Sequence, residues 1–119
     1  MNSHTNPWWG EDDVILSATE PITALAISIS VAKTPGVTFY DRYTNGGGYF
    51  TSSDYDNGAA LVYRYNLISG QAVAPGAIVT AGAQFNSDGV VRPTANDTYQ
   101  VTATIGGVPQ TVSGHFYFR

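Results

Sequence analysis

The chain has 119 residues, of which 43% are hydrophobic and only 12% charged, and its formal net charge is −4 at pH 7. This length suits one domain with a single hydrophobic core. With five Lys and Arg residues against nine Asp and Glu, no basic patch is available to neutralise phosphates, so nucleic acid and anionic membrane surfaces are not expected partners. The absence of cysteine excludes zinc–thiolate sites and cysteine nucleophiles.

Apolar and polar residues alternate with a period of two along most of the chain, which predicts strands rather than helices. In chain order, the predicted strands are Val14–Thr19, Ile22–Lys33, Val37–Tyr43, Tyr49–Ser52, Ala59–Leu67, Ile78–Phe85, Thr98–Ile105 and Gln110–Phe118. Segments rich in Gly, Pro, Asn and Asp separate most of them. We therefore expect an all-β fold, a single antiparallel β-sandwich of about eight strands with immunoglobulin-like or jelly-roll topology. Residues 8–119 would form this domain, and residues 1–7 a disordered N-terminus or the remnant of an added segment.

The same alternation assigns side chains to the two faces of each strand. The predicted core consists of Leu25, Ile27, Ile29, Leu61, Val79, Val101, Ile105 and Phe116. In the last strand, Val112, Gly114 and Phe118 are expected to point inward together with Phe116. Arg64, Asn66 and Gln100 fall on the outward side of their strands.

The histidines and acids offer little that suggests catalysis. His4 and His115 lie at opposite ends of the chain, and no local motif places a nucleophile beside a base. A glycosidase needs two carboxylates across a cleft, and none of the nine acids has a distinctive context. We therefore expect the protein not to be an enzyme.

Two oxygen-rich segments are candidates for calcium binding, because calcium prefers carboxylate and carbonyl oxygens in loops. The denser segment consists of three consecutive acids, Glu11, Asp12 and Asp13; the second contains Asp54, Asp56 and Asn57. The alternative for the first segment is a solvated acidic start to a strand, and under that alternative no cofactor is needed.

Aromatic residues concentrate in a polar, Gly-rich part of the chain. The segment 39–58 holds several Tyr and Phe residues among Gly, Ser, Thr, Asn and Asp, so some rings are expected to face solvent. Exposed rings flanked by amides and carboxylates suit sugars, whose C–H groups stack on the ring while their hydroxyls form hydrogen bonds. The candidate ligand-binding residues are Trp8, Trp9, Tyr43, Tyr49 and Tyr55. Alternatively, Tyr40 or Phe50 fills the core and the tryptophan pair holds the N-terminal strand.

Two further segments carry a family resemblance. They are Ile22–Ile29, in which Leu25, Ile27 and Ile29 alternate with smaller residues, and Leu67–Phe85, in which Pro75-Gly76 leads into a strand containing Gly82 and Phe85. The layout resembles bacterial carbohydrate-binding modules of the β-sandwich type, especially those that bind cellulose or chitin. The terminal cysteine pair of many such modules and the regularly spaced surface tryptophans of crystalline-cellulose binders are absent, so the resemblance implies the class and not the ligand.

These observations together predict a non-catalytic polysaccharide-binding module of a secreted or cell-surface bacterial protein, binding through aromatic stacking. The alternative is a structural or adhesive surface domain that contacts protein. The sequence leaves the sugar and the oligomeric state open.

Overall fold

The computed structural model describes residues 2–5, 9–33, 36–45, 47–86 and 97–116. Within these residues lie nine strands: β1 (Asn2–Thr5), β2 (Trp9–Leu16), β3 (Ile22–Ala32), β4 (Thr38–Thr44), β5 (Phe50–Asp56), β6 (Ala60–Leu67), β7 (Val79–Asn86), β8 (Thr98–Ile105) and β9 (Val108–His115). Sheet A has the order β1-β2-β7-β4 and sheet B the order β5-β6-β3-β8-β9, with every neighbouring pair antiparallel. The two sheets share one hydrophobic core, which confirms the predicted all-β sandwich. In this described part of the chain, no helix is long and apolar enough to cross a membrane.

The first two strands differ from the sequence expectation. β1 lies within residues 1–7, and its backbone pairs with β2 so that His4 is in register with Glu11. β2 begins at Trp9 rather than Val14, because the acidic residues that interrupt its hydrophobic pattern are themselves part of the strand. Polar residues can occupy a strand when they have partners, and the alternation rule alone does not reveal this.

The core is built from alternate residues of both sheets, as predicted. Seven of the eight predicted core residues are buried, and Ile105 is partly buried against the others. Two buried tyrosines of β6 connect the sheets, since the Tyr63 hydroxyl donates to the Gln84 carbonyl at 2.6 Å and the Tyr65 hydroxyl donates to the Gly82 carbonyl at 2.5 Å. A buried tyrosine needs such a partner for its hydroxyl, so these bonds fix β6 against the central strand β7.

The last strand has the predicted face assignment but is not buried along its length. Val112 is paired with Val101 and therefore points toward the inner side of sheet B, as expected, yet it is 55% exposed. The reason is its position: β9 is the edge strand of the wider sheet, and the described residues leave the inner side there open to solvent. Phe116, in contrast, is fully buried as predicted. Phe118 lies outside the described residues.

Truncating Ile27 and Val112 is expected to give very different losses of stability. Ile27→Ala leaves a cavity between β6 and β8 and should reduce the free energy of unfolding by about 2–5 kcal/mol. Val112→Ala removes an exposed side chain and should change it by less than about 0.5 kcal/mol. Urea unfolding at neutral pH measures both values, and equal losses would contradict the assignment of β9 as an uncovered edge.

Candidate functional site

The three acids of β2 do not form the predicted calcium site. In the β2–β7 register, Asp12 pairs with Ala83 on the inner face, whereas Glu11 and Asp13 pair with Gln84 and Gly82 on the outer face. Three consecutive strand residues cannot converge on one ion, because their side chains alternate between faces. Over the ranges that the structure describes, no group of three His, Cys, Asp or Glu residues is arranged to hold a metal.

The alternative expectation, a solvated acidic strand start, is also wrong. Glu11 is 9% exposed and Asp13 is 6% exposed, although both lie on the outer face of sheet A, and Asp12 is fully buried. Buried carboxylates are costly unless they are hydrogen-bonded or protonated, so the interactions of these acids need a specific account.

The oxygen-rich segment at the end of β5 is structural as well. Asp54 forms an ion pair with Arg42 that joins the edge strands β5 and β4, and Asp56 pairs with Lys33 at 2.6 Å. The Asn57 side chain accepts hydrogen bonds from the backbone N–H groups of residues 59 and 60, which closes the turn between β5 and β6. These oxygens are therefore engaged within the protein and are not arranged as calcium ligands.

Glu11 and Asp13 belong to a hydrogen-bonded group that we call the acid–tyrosine cluster: Glu11, Asp13, Tyr43 and Gln84. The Gln84 amide donates to Glu11 Oε1 at 2.6 Å, and Asp13 is hydrogen-bonded to both Glu11 and Tyr43. The Oδ1 atom of Asp13 is buried without a hydrogen-bond partner. Burial raises the pKa of Asp13 to about 7, the hydrogen bond and negative charge of Glu11 add to the increase, and the Tyr43 bond opposes it.

Tyr43 completes this cluster by lying across the backbone of β7. A Cβ atom on Gly82 would stand 2.2 Å from the Tyr43 ring, so only glycine allows this position. Burial and the negative charges of Asp13 and Glu11 together raise the pKa of the Tyr43 hydroxyl to about 12. The hydroxyl therefore stays protonated near neutral pH and can donate to Asp13. The carboxylates of the cluster are inaccessible and stabilise sheet A, whereas the Tyr43 ring remains 40% exposed.

The structure distributes the candidate aromatic residues over different surfaces. Trp9 is half-buried and shares the outer face of sheet A with Tyr43. Tyr49 lies in the short 3-10 turn between β4 and β5 and is 54% exposed. Tyr55 is exposed on the outer face of sheet B. Trp8 lies outside the described residues.

The five candidates therefore do not share one surface. The two aromatics proposed as alternative core residues differ as well, since Phe50 packs against the core and Tyr40 is exposed.

A continuous depression, which we call the trough, runs along the outer face of sheet B. Three adjoining cavities of about 450, 240 and 340 Å³ form it. The first and second share Ser28 and Gln100, and the second and third share Ala26, Asn66 and Thr102. The polar residues that line the trough are Thr23, Ser28, Ser30, Arg64, Asn66, Ser69, Thr98, Gln100, Thr102, Thr104 and Ser113.

The trough follows strand β3 over a considerable length. Its cavities extend from the position of Ser30 to that of Thr23, which corresponds to roughly 23 Å at about 3.3 Å per residue. Small side chains at alternate positions of β3 form its floor, and the longer Asn66 and Gln100 side chains rise on the neighbouring strands β6 and β8. An extended chain could therefore lie along the strand with hydrogen-bonding groups on both sides.

Arg64 forms the wall of the trough on the β5 side, and Tyr55 of β5 contacts Arg64 from outside the cavity lining. The Arg64 guanidinium lies 5.2 Å from the centroid of the Tyr55 ring, and its Nη2 donates to the Tyr55 hydroxyl at 3.0 Å. One face of the Tyr55 ring is thus covered by a cation, which is a favourable cation–π arrangement. Tyr55 holds Arg64 in place, and this role differs from the ring stacking expected from the sequence.

Sequence reasoning placed Arg64, Asn66 and Gln100 outward but did not select them as site residues. The alternation pattern gives the face of each residue, whereas the order of strands in the sheet depends on long-range pairing. β6, β3 and β8 are adjacent in space although loops and other strands separate them in the chain. The sequence signal that could have indicated this site is the repeated outward placement of Ser, Thr, Asn and Gln in the three strands.

Asp13→Asn is expected to flatten the pH dependence of the unfolding free energy. The folded state retains a proton on Asp13 up to about pH 7, whereas the ordinary pKa of the group is 3.8. The unfolded chain therefore binds fewer protons in this window, and stability falls as pH rises from about 4 to 7, then levels off. The limiting slope is about 1.4 kcal/mol per pH unit for one proton. Urea unfolding at a series of pH values measures the slope of each protein.

One variant serves as a control for this experiment. Asp41→Asn removes an exposed acid of β4 that is in register with Gln84 of β7. It should keep the parent slope. The hydrogen bond to Lys33 lowers the pKa of Asp56, which contributes to the pH dependence of stability with the opposite sign. This contribution is the same in the parent and in the variants, so it cancels when their slopes are compared. A parent slope retained by Asp13→Asn would contradict the raised pKa of Asp13.

Comparison with known proteins gives no relative for this chain: no protein-family model, no curated protein and no solved structure matches it. Function must accordingly be argued from the site itself, since even a shared fold would not establish it.

Proposed function

We propose that the protein is a non-catalytic polysaccharide-binding module that holds an extended sugar chain in the trough of sheet B. The observation that carries this proposal is the continuity of the three cavities along β3. A linear polymer needs an open, elongated depression with repeated polar contacts, whereas a small ligand is normally enclosed in one concave pocket.

The chemistry of the trough lining supports a sugar as the occupant. Hydroxyl and amide side chains such as Ser28, Asn66 and Gln100 can both donate and accept hydrogen bonds, as sugar hydroxyls do. Strands β6, β3 and β8 hold these groups on a rigid sheet, which reduces the entropy lost on binding. A polysaccharide of this kind is met outside the cell, so the proposal includes a secreted or cell-surface location.

Burial favours the trough over the outer face of sheet A. Trp9 and Tyr43 lie on that face, but its acids are inaccessible and already hydrogen-bonded among themselves. The groups lining the trough include Asn66 and Gln100, which are exposed. The binding residues in this proposal are therefore Arg64, Asn66 and Gln100, with Tyr55 as a positioning residue.

A protein-contacting domain is the second candidate, and a different surface favours it. Tyr49, Ile68 and Ile78 are exposed apolar residues at one end of the sandwich. The Ile68 N–H donates to the Tyr49 carbonyl at 2.9 Å, and the Asn45 amide donates to the Ile78 carbonyl at 2.8 Å, so the turn carrying Tyr49 is fixed beside both loops. Grouped exposed apolar side chains are typical of protein contacts.

The double variant Asn66→Ala/Gln100→Ala is expected to weaken polysaccharide binding about tenfold or more. Each lost hydrogen bond is worth about 0.5–1.5 kcal/mol, and about 1.4 kcal/mol corresponds to a tenfold change in affinity. Pull-down with insoluble cellulose, chitin and xylan, together with affinity electrophoresis in soluble glycans, measures retention. Both residues are exposed, so the melting temperature should stay close to that of the parent.

Two matched variants outside the trough complete the design. Gln71→Ala truncates an exposed amide in a loop, and Tyr49→Ala truncates an exposed ring at the end of the sandwich. Both should bind as the parent does. If Tyr49→Ala loses binding while the double variant keeps it, the ligand lies at the end of the sandwich and the proposal is wrong. Absence of binding to every glycan by the parent would favour the protein-contacting alternative.

A further inference from the structure

The positive charges of the described residues are distributed unevenly. Lys33 pairs with Asp56 and Arg42 pairs with Asp54. Arg64 is the remaining Lys or Arg residue in the described ranges, where it contacts the uncharged Tyr55. In a chain with nine acids and five cations, a guanidinium with no carboxylate partner among the described residues requires an explanation.

The strands that the structure describes place no acid on the face that carries Arg64. The strand registers place on the outer side of sheet B the residues Thr51, Ser53 and Tyr55 of β5, Val62 and Asn66 of β6, Ala26, Ser28 and Ser30 of β3, Gln100 and Thr102 of β8, and Thr111 and Ser113 of β9. None of these is acidic. The nearest acids in the strand order, Asp54 and Asp56 of β5, are on the opposite side of their strand and are ion-paired.

Tyr55 also determines how Arg64 is presented. The cation–π contact and the bond from Nη2 to the Tyr55 hydroxyl use one side of the guanidinium, and Arg64 lines the central cavity of the trough beside Ser28, Asn66 and Gln100. A guanidinium has five N–H donors in a planar fork, and this fork matches the two oxygens of a carboxylate. Holding the fork against Tyr55 reduces the side-chain entropy that is lost when a ligand binds.

We infer that the trough binds an acidic polysaccharide, one whose sugars include uronic acids, and that Arg64 binds the carboxylate. This inference rests on the proposed function and specifies its ligand class. This ligand differs from the neutral cellulose and chitin that the modules resembling this sequence bind. The neutral groups of the trough bind sugar hydroxyls along the chain, and Arg64 adds one charge-assisted contact at the central position.

The net charge of −4 opposes the approach of an acidic polymer, but this effect is weaker than the local contact at physiological salt. Charges on a protein surface are screened beyond about 8 Å at this ionic strength, and the described acids nearest in the strand order, Asp54 and Asp56, are on the opposite side of β5 and ion-paired. A direct bond between charged groups is shorter and stronger than a neutral hydrogen bond. Arg64 therefore determines the preference at close range.

The test compares a glucuronic-acid-bearing xylan with the same polymer after chemical reduction of its carboxyl groups. Affinity electrophoresis at about 0.15 M salt is expected to show parent binding about tenfold tighter to the acidic form, in line with one hydrogen-bonded charged contact. Arg64→Gln should bind both forms equally, at the affinity that the parent has for the reduced form. Arg64→Lys, which keeps the charge without the fork, should retain only part of the preference.

Lys33→Gln is the matched control, since it removes one positive charge from a site outside the trough. It should keep the parent preference, which separates a specific contact from a change in net charge. Equal parent affinity for both forms would overturn the inference and leave the proposed function standing. A preference equally reduced in Lys33→Gln would also overturn it. Binding to neither form, nor to any neutral glycan, would refute the proposed function itself.

Discussion

The hydroxyl bonds of Tyr63 and Tyr65 constrain the rest of this structure. Both tyrosines reach from β6 across the core to backbone carbonyls of β7, and a buried hydroxyl that lost its acceptor would cost about 1–3 kcal/mol. These two bonds therefore fix the position of β6 relative to β7, an inner strand of sheet A. Arg64 and Asn66 alternate with these tyrosines along β6, so the same bonds that close the core also position the wall of the trough.

The two outer faces use polar residues in opposite ways. On sheet A the two carboxylates of the acid–tyrosine cluster are buried and hydrogen-bonded within it, and the cluster depends on Gly82, which leaves room for the Tyr43 ring. On sheet B the polar residues are largely exposed and neutral, and they adjoin open cavities. Polar groups that already have internal partners stabilise a fold, whereas polar groups that face solvent can exchange water for a ligand. Exposure, rather than aromatic content, distinguishes the two faces.

The sequence predicts the strands and the core well and the site poorly, for a physical reason. Alternation is a local property, so the buried faces of Ile27, Ile29 and Tyr63 follow from their immediate neighbours. Proximity of Asn66 and Gln100 depends on the pairing of β6 and β8 with β3, which no local pattern encodes. The need for glycine at position 82 and the burial of Asp13 also depend on side chains of other strands, which local sequence does not reveal. Tyr55 and Tyr43 were grouped by sequence spacing, but they lie on opposite sheets.

The described acids and the trough residues have different roles, and this difference determines which substitutions the outer face of sheet B can tolerate. The described acids are largely engaged in architecture: Asp54 and Asp56 pair with cations of neighbouring segments, and Asp97 accepts a hydrogen bond from the Ala32 N–H at 2.8 Å while fully buried. Substituting them would disturb edges, turns or the core. The trough residues Arg64, Asn66 and Gln100 are exposed, and exposed positions usually tolerate substitution within about 0.5 kcal/mol. Ligand preference in this sandwich can therefore change through a few trough side chains while the bonds that hold the sheets together remain intact.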